Sequence, residues 1–184
     1  MKRFLVLLAM LLPLVSFAQQ EENDNAKKQT TKYEEFTSKT GSFIKFTDIK
    51  QAKLSLSFAT SVETSIRTVI SASNAHFYRI ESTSNDGIAM IEYSDLVEIN
   101  KALNKLCADA ELDIAANPEY LENKFRTIDG FEVGYYIEKK KANWWMRLEW
   151  FNHSLSIKNE NLSTVVDAFK NAQERIEELM ASGH

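Results

Sequence analysis

Apolar residues along this chain alternate at a period of two in several short runs, then switch to helical spacing, and the whole succession occurs twice. In the first half, Phe43–Phe46, Leu54–Phe58, Thr64–Ser71, His76–Ser82 and Ile88–Tyr93 read as strands. The connections Ala72–Ala75 and Thr83–Gly87 have hairpin length, and the second contains the turn signal Asn85-Asp86-Gly87. Leu96, Ile99, Leu103, Leu106, Ala110 and Ile114 then form one stripe of a helix. Asp95 is its expected N-cap, with Glu98 completing a capping box, and Asn117-Pro118 ends it. A short helical segment is expected at Glu119–Asn123.

In the second half, Lys124–Ile128 and Phe131–Glu138 flank Asp129-Gly130, a dipeptide suited to a type I′ turn. A charged turn, Glu138–Ala142, leads to a long strand at Asn143–Phe151 and a short one at Ser154–Lys158. A helix follows from Leu162 to Leu179, with Leu162, Val165, Val166, Phe169, Ala172, Ile176 and Leu179 on its buried face. Glu177 and Glu178 oppose the dipole at its C-terminus, which predicts a frayed end.

The two halves match as strand–strand–helix units over about 54–116 and 123–180. The helical stripe repeats at a shift of 66 residues, from Leu96 to Leu162, and the strand motif at 68, from Arg79 to Arg147. Strands in hairpins, each set closed by a helix, predict an α+β domain. Its antiparallel sheet is built from two repeated units with both helices on one face. This order of elements resembles the TATA-binding-protein-like architecture. The resemblance implies a curved sheet with helices on its back. It is one of topology and transfers no nucleic-acid binding.

The first residues of the chain carry an address. Lys2 and Arg3 precede an apolar run from Phe4 to Val15, and Ser16-Phe17-Ala18 ends in a small residue. Residues 1–18 read as a signal peptide cut after Ala18, so the mature protein is expected to be exported, periplasmic or secreted. The run is too short for a comfortable membrane span, and no transmembrane segment is expected in the mature chain. The Phe17-Ala18-Gln19-Gln20 junction resembles those of exported proteins of the Bacteroidetes. Residues 19–41 form a flexible polar leader with a short helix near Lys32–Ser38, and 42–184 a single domain. Without Lys2 and Arg3, 20 basic residues face 26 acidic ones, a balance that argues against nucleic-acid partners.

Candidate chemistry follows from the strand alternation. Tyr78, Ile80, Ile66, Val133, Tyr135, Ile137, Trp144, Met146, Leu148 and Trp150 fall toward the helices. The open face then carries Arg67, Phe77, Arg79, Glu81, Tyr136, Trp145, Arg147, Glu149 and Phe151. Aromatics mixed with arginines are the composition of a recognition surface. The candidates for such a binding face are Arg67, Phe77, Arg79, Tyr136, Trp145, Arg147 and Phe151. Its occupant is an envelope protein, a small ligand or a second copy of the chain. Cross-strand rows of solvated charge, or cover by loops, give the same pattern.

No phosphate loop, nucleophile elbow or metal-spaced histidine cluster is present, and no metal or cofactor is expected. Cys107 is the single cysteine and falls beside Leu106 as a packing residue. The expectation is a non-catalytic binding or scaffolding protein. The alternative is a hydrolase of glycan or peptide, using Glu81 and Glu149 as a carboxylate pair.

Overall fold

The computed structural model describes residues 30–38, 43–71 and 73–183. Residues 1–18, expected to be a signal peptide, and most of the expected polar leader lie outside the described residues. The chain runs α1 (Lys32–Thr37), β1 (Lys45–Lys50), β2 (Leu54–Ser55), β3 (Ser61–Ile70), β4 (Ala75–Ser82), β5 (Ile88–Glu92) and α2 (Tyr93–Ala116). It continues with β6 (Leu121–Arg126), β7 (Glu132–Glu138), β8 (Lys141–Arg147), β9 (Leu155–Ile157) and α3 (Asn159–Ala181). The class is α+β, with all strand pairs antiparallel. The strands form two sheets. One is ordered β1-β3-β4-β5, with β2 also on β3; the other is β6-β7-β8-β9.

Both helices pack on the inner faces of both sheets, around one core. The alternation of apolar side chains explains which faces these are. Ile66, Tyr78, Ile80, Val133, Tyr135, Ile137, Trp144, Met146 and Leu148 are all buried there, as expected. Each helix leans toward the sheet of the other unit: α2 lies chiefly over β6 and β7, and α3 against β2, β3 and β4. Tyr135 donates to Asp113 of α2 at 2.6 Å, and Asn100 of α2 donates to Gln173 of α3 at 2.7 Å.

The repeat is tighter than the sequence motif implies. The β4–β5 pairs Tyr78↔Ile91, Arg79↔Met90 and Ile80↔Ala89 become Trp144↔Ile157, Trp145↔Ser156 and Met146↔Leu155 in β8–β9. Every partner has moved by the same 66 residues, and so has the helix start, from Tyr93 to Asn159. The strand shift of 68 is therefore corrected. In ladder register Arg79 corresponds to Trp145, and Arg147 to Glu81. Glu149 lies beyond β8, in the loop to β9, and is not the equivalent of Glu81.

Several local expectations change as well. Glu92, not Asp95, caps α2, accepting the Ser94 amide at 2.8 Å. Asp95 instead pairs with Lys32 of α1 at 2.7 Å, and Glu98 with Lys101. Glu119–Asn123 is not helical. β6 begins at Leu121, and its half-buried residues Leu121, Asn123 and Phe125 alternate at the strand period.

The type I′ turn falls elsewhere than expected. Thr127 donates to Phe131 and Gly130 to Thr127, a three-residue loop with Gly130 at φ 94°. The two-residue loop joins β7 to β8, where Lys139 and Lys140 adopt φ 52° and 61°. The acidic end of α3 stays helical to Ala181, because Leu179 is buried and Arg175 holds Glu178 at 2.6 Å.

The two halves also touch at two corners. Leu56 accepts the Lys158 amide at 2.8 Å and the Asn161 side chain at 3.1 Å, which ties the first sheet to the start of α3. At the other corner Asn152 donates to Asp86 O at 3.0 Å and to Glu149 at 2.9 Å. Gly87 lies beneath that contact at φ 102°, and a Cβ there would collide with Asn152 and Glu149. Among the described residues, no helix is long and apolar enough to cross a membrane.

Candidate functional site

The outer face of the first sheet is roofed by α1. Thr31 and Glu34 close a capping box that fixes this short helix. Tyr33 and Phe36 meet Phe77 edge-on, with centroids 5.3 and 5.8 Å away, and Phe77 is fully buried. Phe77 is therefore not part of an open face. Arg67 grips Asp48 through two bonds, at 2.8 and 2.7 Å, and reaches the Tyr33 hydroxyl at 3.3 Å. Hydrogen bonding from Arg67 holds the Asp48 carboxyl below its ordinary range. Arg79 pairs with Glu81 at 2.6 Å. These arginines fasten local structure.

The outer face of the second sheet gathers three more of the candidates. Tyr136, Trp145 and Arg147 line a depression of about 670 Å³. Trp145 is outside the main core, as the alternation requires, but it is buried too. Its cross-strand neighbour is Gly134, and Lys124 and Arg147 lie over the indole ring at 5.6 Å each. A Cβ at Gly134 would strike the Asn123 carbonyl. Glu132, fully buried, is held between Arg126 and Arg147. Nothing in the strand alternation marks it as a site residue.

The seventh candidate, Phe151, leads to a different place. β8 stops at Arg147, so strand alternation does not extend to residues 149–151. Trp150 is accordingly not in the core. It lies over Gly130 on the β6–β7 turn, donates to Ile128 O at 3.3 Å, and carries Arg126 above its ring at 4.9 Å. Phe151 has φ 65°, a left-handed conformation that a bulky residue rarely adopts, and the residue is 99% exposed.

Phe151 stands at a cavity of about 580 Å³ between the two sheets. α1, the edge of β5, the β6–β7 turn and the segment after β8 form its walls. Apolar contributions come from Ile88, Met90, Ile91, Phe131, Leu148 and Trp150. Four carboxylates join them: Glu34, Asp95, Asp129 and Glu149. Glu149 Oε1 accepts the backbone amide of Ile88 at 3.3 Å and so bridges the sheets.

Burial raises the Asp129 pKa, and Asp95 and Glu35 add to the effect. The Lys32 amide, 3.1 Å from Asp129 Oδ2, and the charge of Lys32 oppose it. For Lys32 burial works against the charge. The hydrogen bond to Asp95 and the charges of Asp95, Glu92 and Asp129 together outweigh it and raise its pKa.

The two carboxylates considered for hydrolysis differ in their surroundings. Glu149 lines the cavity, whereas Glu81 is tied to Arg79 and is not among the lining residues. Cys107 is half-buried against the core, and burial pushes its thiol pKa up, away from nucleophile character. His76 is buried and bonded to Thr68 at 2.9 Å. Among the described residues, no group of three or more His, Cys, Asp or Glu is arranged to hold a metal ion.

The sequence signals for the cavity were partial. Asp129-Gly130 and the strand before α2 are both legible, but nothing local says that they meet. Comparison of the chain with models of known protein families and with curated proteins finds no match.

Proposed function

We propose that the protein is an exported binding protein of the cell envelope, periplasmic or secreted and without catalysis. Its cavity takes an apolar ligand that carries positive charge. The observation that carries this reading is Phe151. A large apolar ring is held in solvent, on a backbone conformation that costs about 1–2 kcal/mol for an L-residue, at the mouth of a cavity with an apolar lining. Such strain points toward a functional role when packing does not explain it. The carboxylates choose the sign of the ligand: four line the cavity, and Lys32 balances only part of their charge. The sequence pattern of residues 1–18 supports export.

The depression on the second sheet is a separate surface. Tyr136, with Tyr120 stacked on it at 6.3 Å, and the Trp145–Arg147 pair favour a protein contact there, including one with a second copy of the chain.

Phenylbutylamine, an apolar body with one ammonium, tests the cavity against uncharged phenylbutanol. Tryptophan fluorescence should report saturable binding of the amine, weaker binding of the alcohol, and loss of the signal in Trp150→Phe. Equal binding of the two probes removes the charge argument. No saturable change with either removes the cavity as the site.

A further inference from the structure

We infer that the ligand is a peptide in extended conformation, which adds to the free edge of β5 as a further strand. The inference rests on the cavity being the binding site.

Register fixes which groups of β5 are free. Ser82 donates to Gly87 O at 3.1 Å, so this pair is hydrogen-bonded. Bonded and non-bonded pairs alternate along an antiparallel ladder. Ile80↔Ala89 and Tyr78↔Ile91 are then bonded, while Glu81↔Ile88 and Arg79↔Met90 are not. The amides and carbonyls of Ile88 and Met90 therefore point away from β4. The Ile88 amide does so visibly, since Glu149 accepts it at 3.3 Å from the side of the second sheet. A side-chain carboxylate stands there in place of a neighbouring strand's carbonyl. One step along, Met90 lines the cavity, and its outward amide and carbonyl have no hydrogen-bond partner among the described residues.

The other sheet edges are blunted by charge or brevity, whereas β5 is uncharged along the stretch that faces the cavity. β1 carries Lys45, Asp48 and Lys50, β6 carries Glu122, Lys124 and Arg126, and β9 is three residues long. Charge and brevity are the devices that stop an edge from pairing. β5, Ile88-Ala89-Met90-Ile91-Glu92, has no charge before its last residue. It has α1 and the second sheet for neighbours, so a strand laid on it would be enclosed as well as paired.

Charge defines the peptide. Glu149 marks the Ile88 end of the edge, and Asp95 and Asp129 mark the end where α2 begins. Phe131 and Leu148 contribute apolar surface to the same cavity. An apolar, β-branched segment with a basic residue at either end matches both features.

The test uses the full chain and the labelled peptide Lys-Val-Thr-Val-Thr-Val-Lys. Two further versions are N-methylated on one or the other alternate set of amides, and phenylbutylamine serves as the amide-free control. Binding should slow hydrogen exchange at the Met90 amide. N-methylation of one alternate set should weaken affinity at least about tenfold while the other set is tolerated, because a strand pairs along one side only. Met90→Pro should lose the peptide and keep the amine, since proline at an outward edge position removes a donor that β4 does not use.

If both methylated peptides bind like the parent while the amine also binds, strand addition is overturned and the cavity reading stands. If neither amine nor peptide binds, both readings fall. A Met90 amide already protected without peptide would overturn the inference, assigning the edge to a second copy if the protein is dimeric and to the chain's own leader if it is monomeric.

Discussion

The ring of Phe169, on the helix that closes the second unit, stands edge-on to Tyr78, on a central strand of the first unit's sheet, with centroids 5.3 Å apart. Phe169 also lies 5.6 Å from Phe131, which leads into β7 of the second unit. One side chain therefore touches both units. Phe169→Ala should cost about 3–5 kcal/mol, and the loss should appear in a single denaturant transition, because neither unit has a core of its own. Two separated transitions would show that the halves fold independently.

Trp144 and Trp145 separate the two kinds of burial in this protein. Trp144 belongs to the main core and lies 4.8 Å from Tyr135. Trp145 is covered on the outer face by Lys124 and Arg147. Flexible charged stems can close over a gap more easily than a packed core can. Trp144→Ala should cost about 3–5 kcal/mol and Trp145→Ala about 2 kcal/mol. Equal losses in denaturant titrations would mean that the outer face is as tightly packed as the core.

The parity of Trp144 and Trp145 was legible because a strand has a period of two and both lie within β8. The same reasoning failed for Trp150, five residues beyond Trp145, because the strand ends at Arg147 and the chain turns through a left-handed Phe151. Composition hid the cover over Phe77: Tyr33 and Phe36 sit among polar residues, so a packed helix read as a leader. The cavity had no local signature at all. Its walls come from α1, β5, a hairpin turn and a loop, which only tertiary packing brings together. The helical stripes were legible because burial of one face imposes their spacing.

The β7–β8 turn keeps two lysines at positive φ, where β-carbon sterics penalise L-residues. Glycine is free of that penalty, and Asn-Gly is the pair this turn type favours. Replacing Lys139 with Asn and Lys140 with Gly should raise stability by about 1 kcal/mol. An unchanged or lowered melting temperature would show that the lysines' charge contributes more than their strain.

Asp129 gives the cavity a pH dependence. Its pKa in the folded protein lies above the ordinary 3.8. The folded state therefore holds that proton more tightly than the unfolded chain. Stability from this group is present at low pH and is lost as pH rises through the raised pKa. Cation binding runs the other way, because only the carboxylate attracts an ammonium. The affinity for phenylbutylamine should rise with pH through a midpoint above 3.8 and then level off. Asp129→Asn should flatten that rise and make the free protein slightly more stable at neutral pH. An unaltered pH profile in Asp129→Asn would exclude this carboxylate from the site.

Phe151 sets stability against binding most directly. Its left-handed backbone is maintained between the Glu149 carbonyl, which accepts the Asn152 amide at 3.4 Å, and the Asn152 side chain, which is anchored on Asp86. The ring gains little from the fold: it is almost wholly in solvent and meets Trp150 only at 6.5 Å. Glycine accepts φ 65° without strain, although it costs more entropy on folding, so Phe151→Gly should stabilise the protein by about 0.5–1 kcal/mol. The same change removes an aromatic wall from the mouth of the cavity and should weaken amine and peptide binding together. Phe151→Ala separates the two effects, because it deletes the ring but keeps the strain: binding should fall without a gain in stability. If Phe151→Gly destabilises the protein by more than about 1 kcal/mol, the ring is a packing element. The strain would then have a structural cause, and the observation that carries the binding reading would be gone.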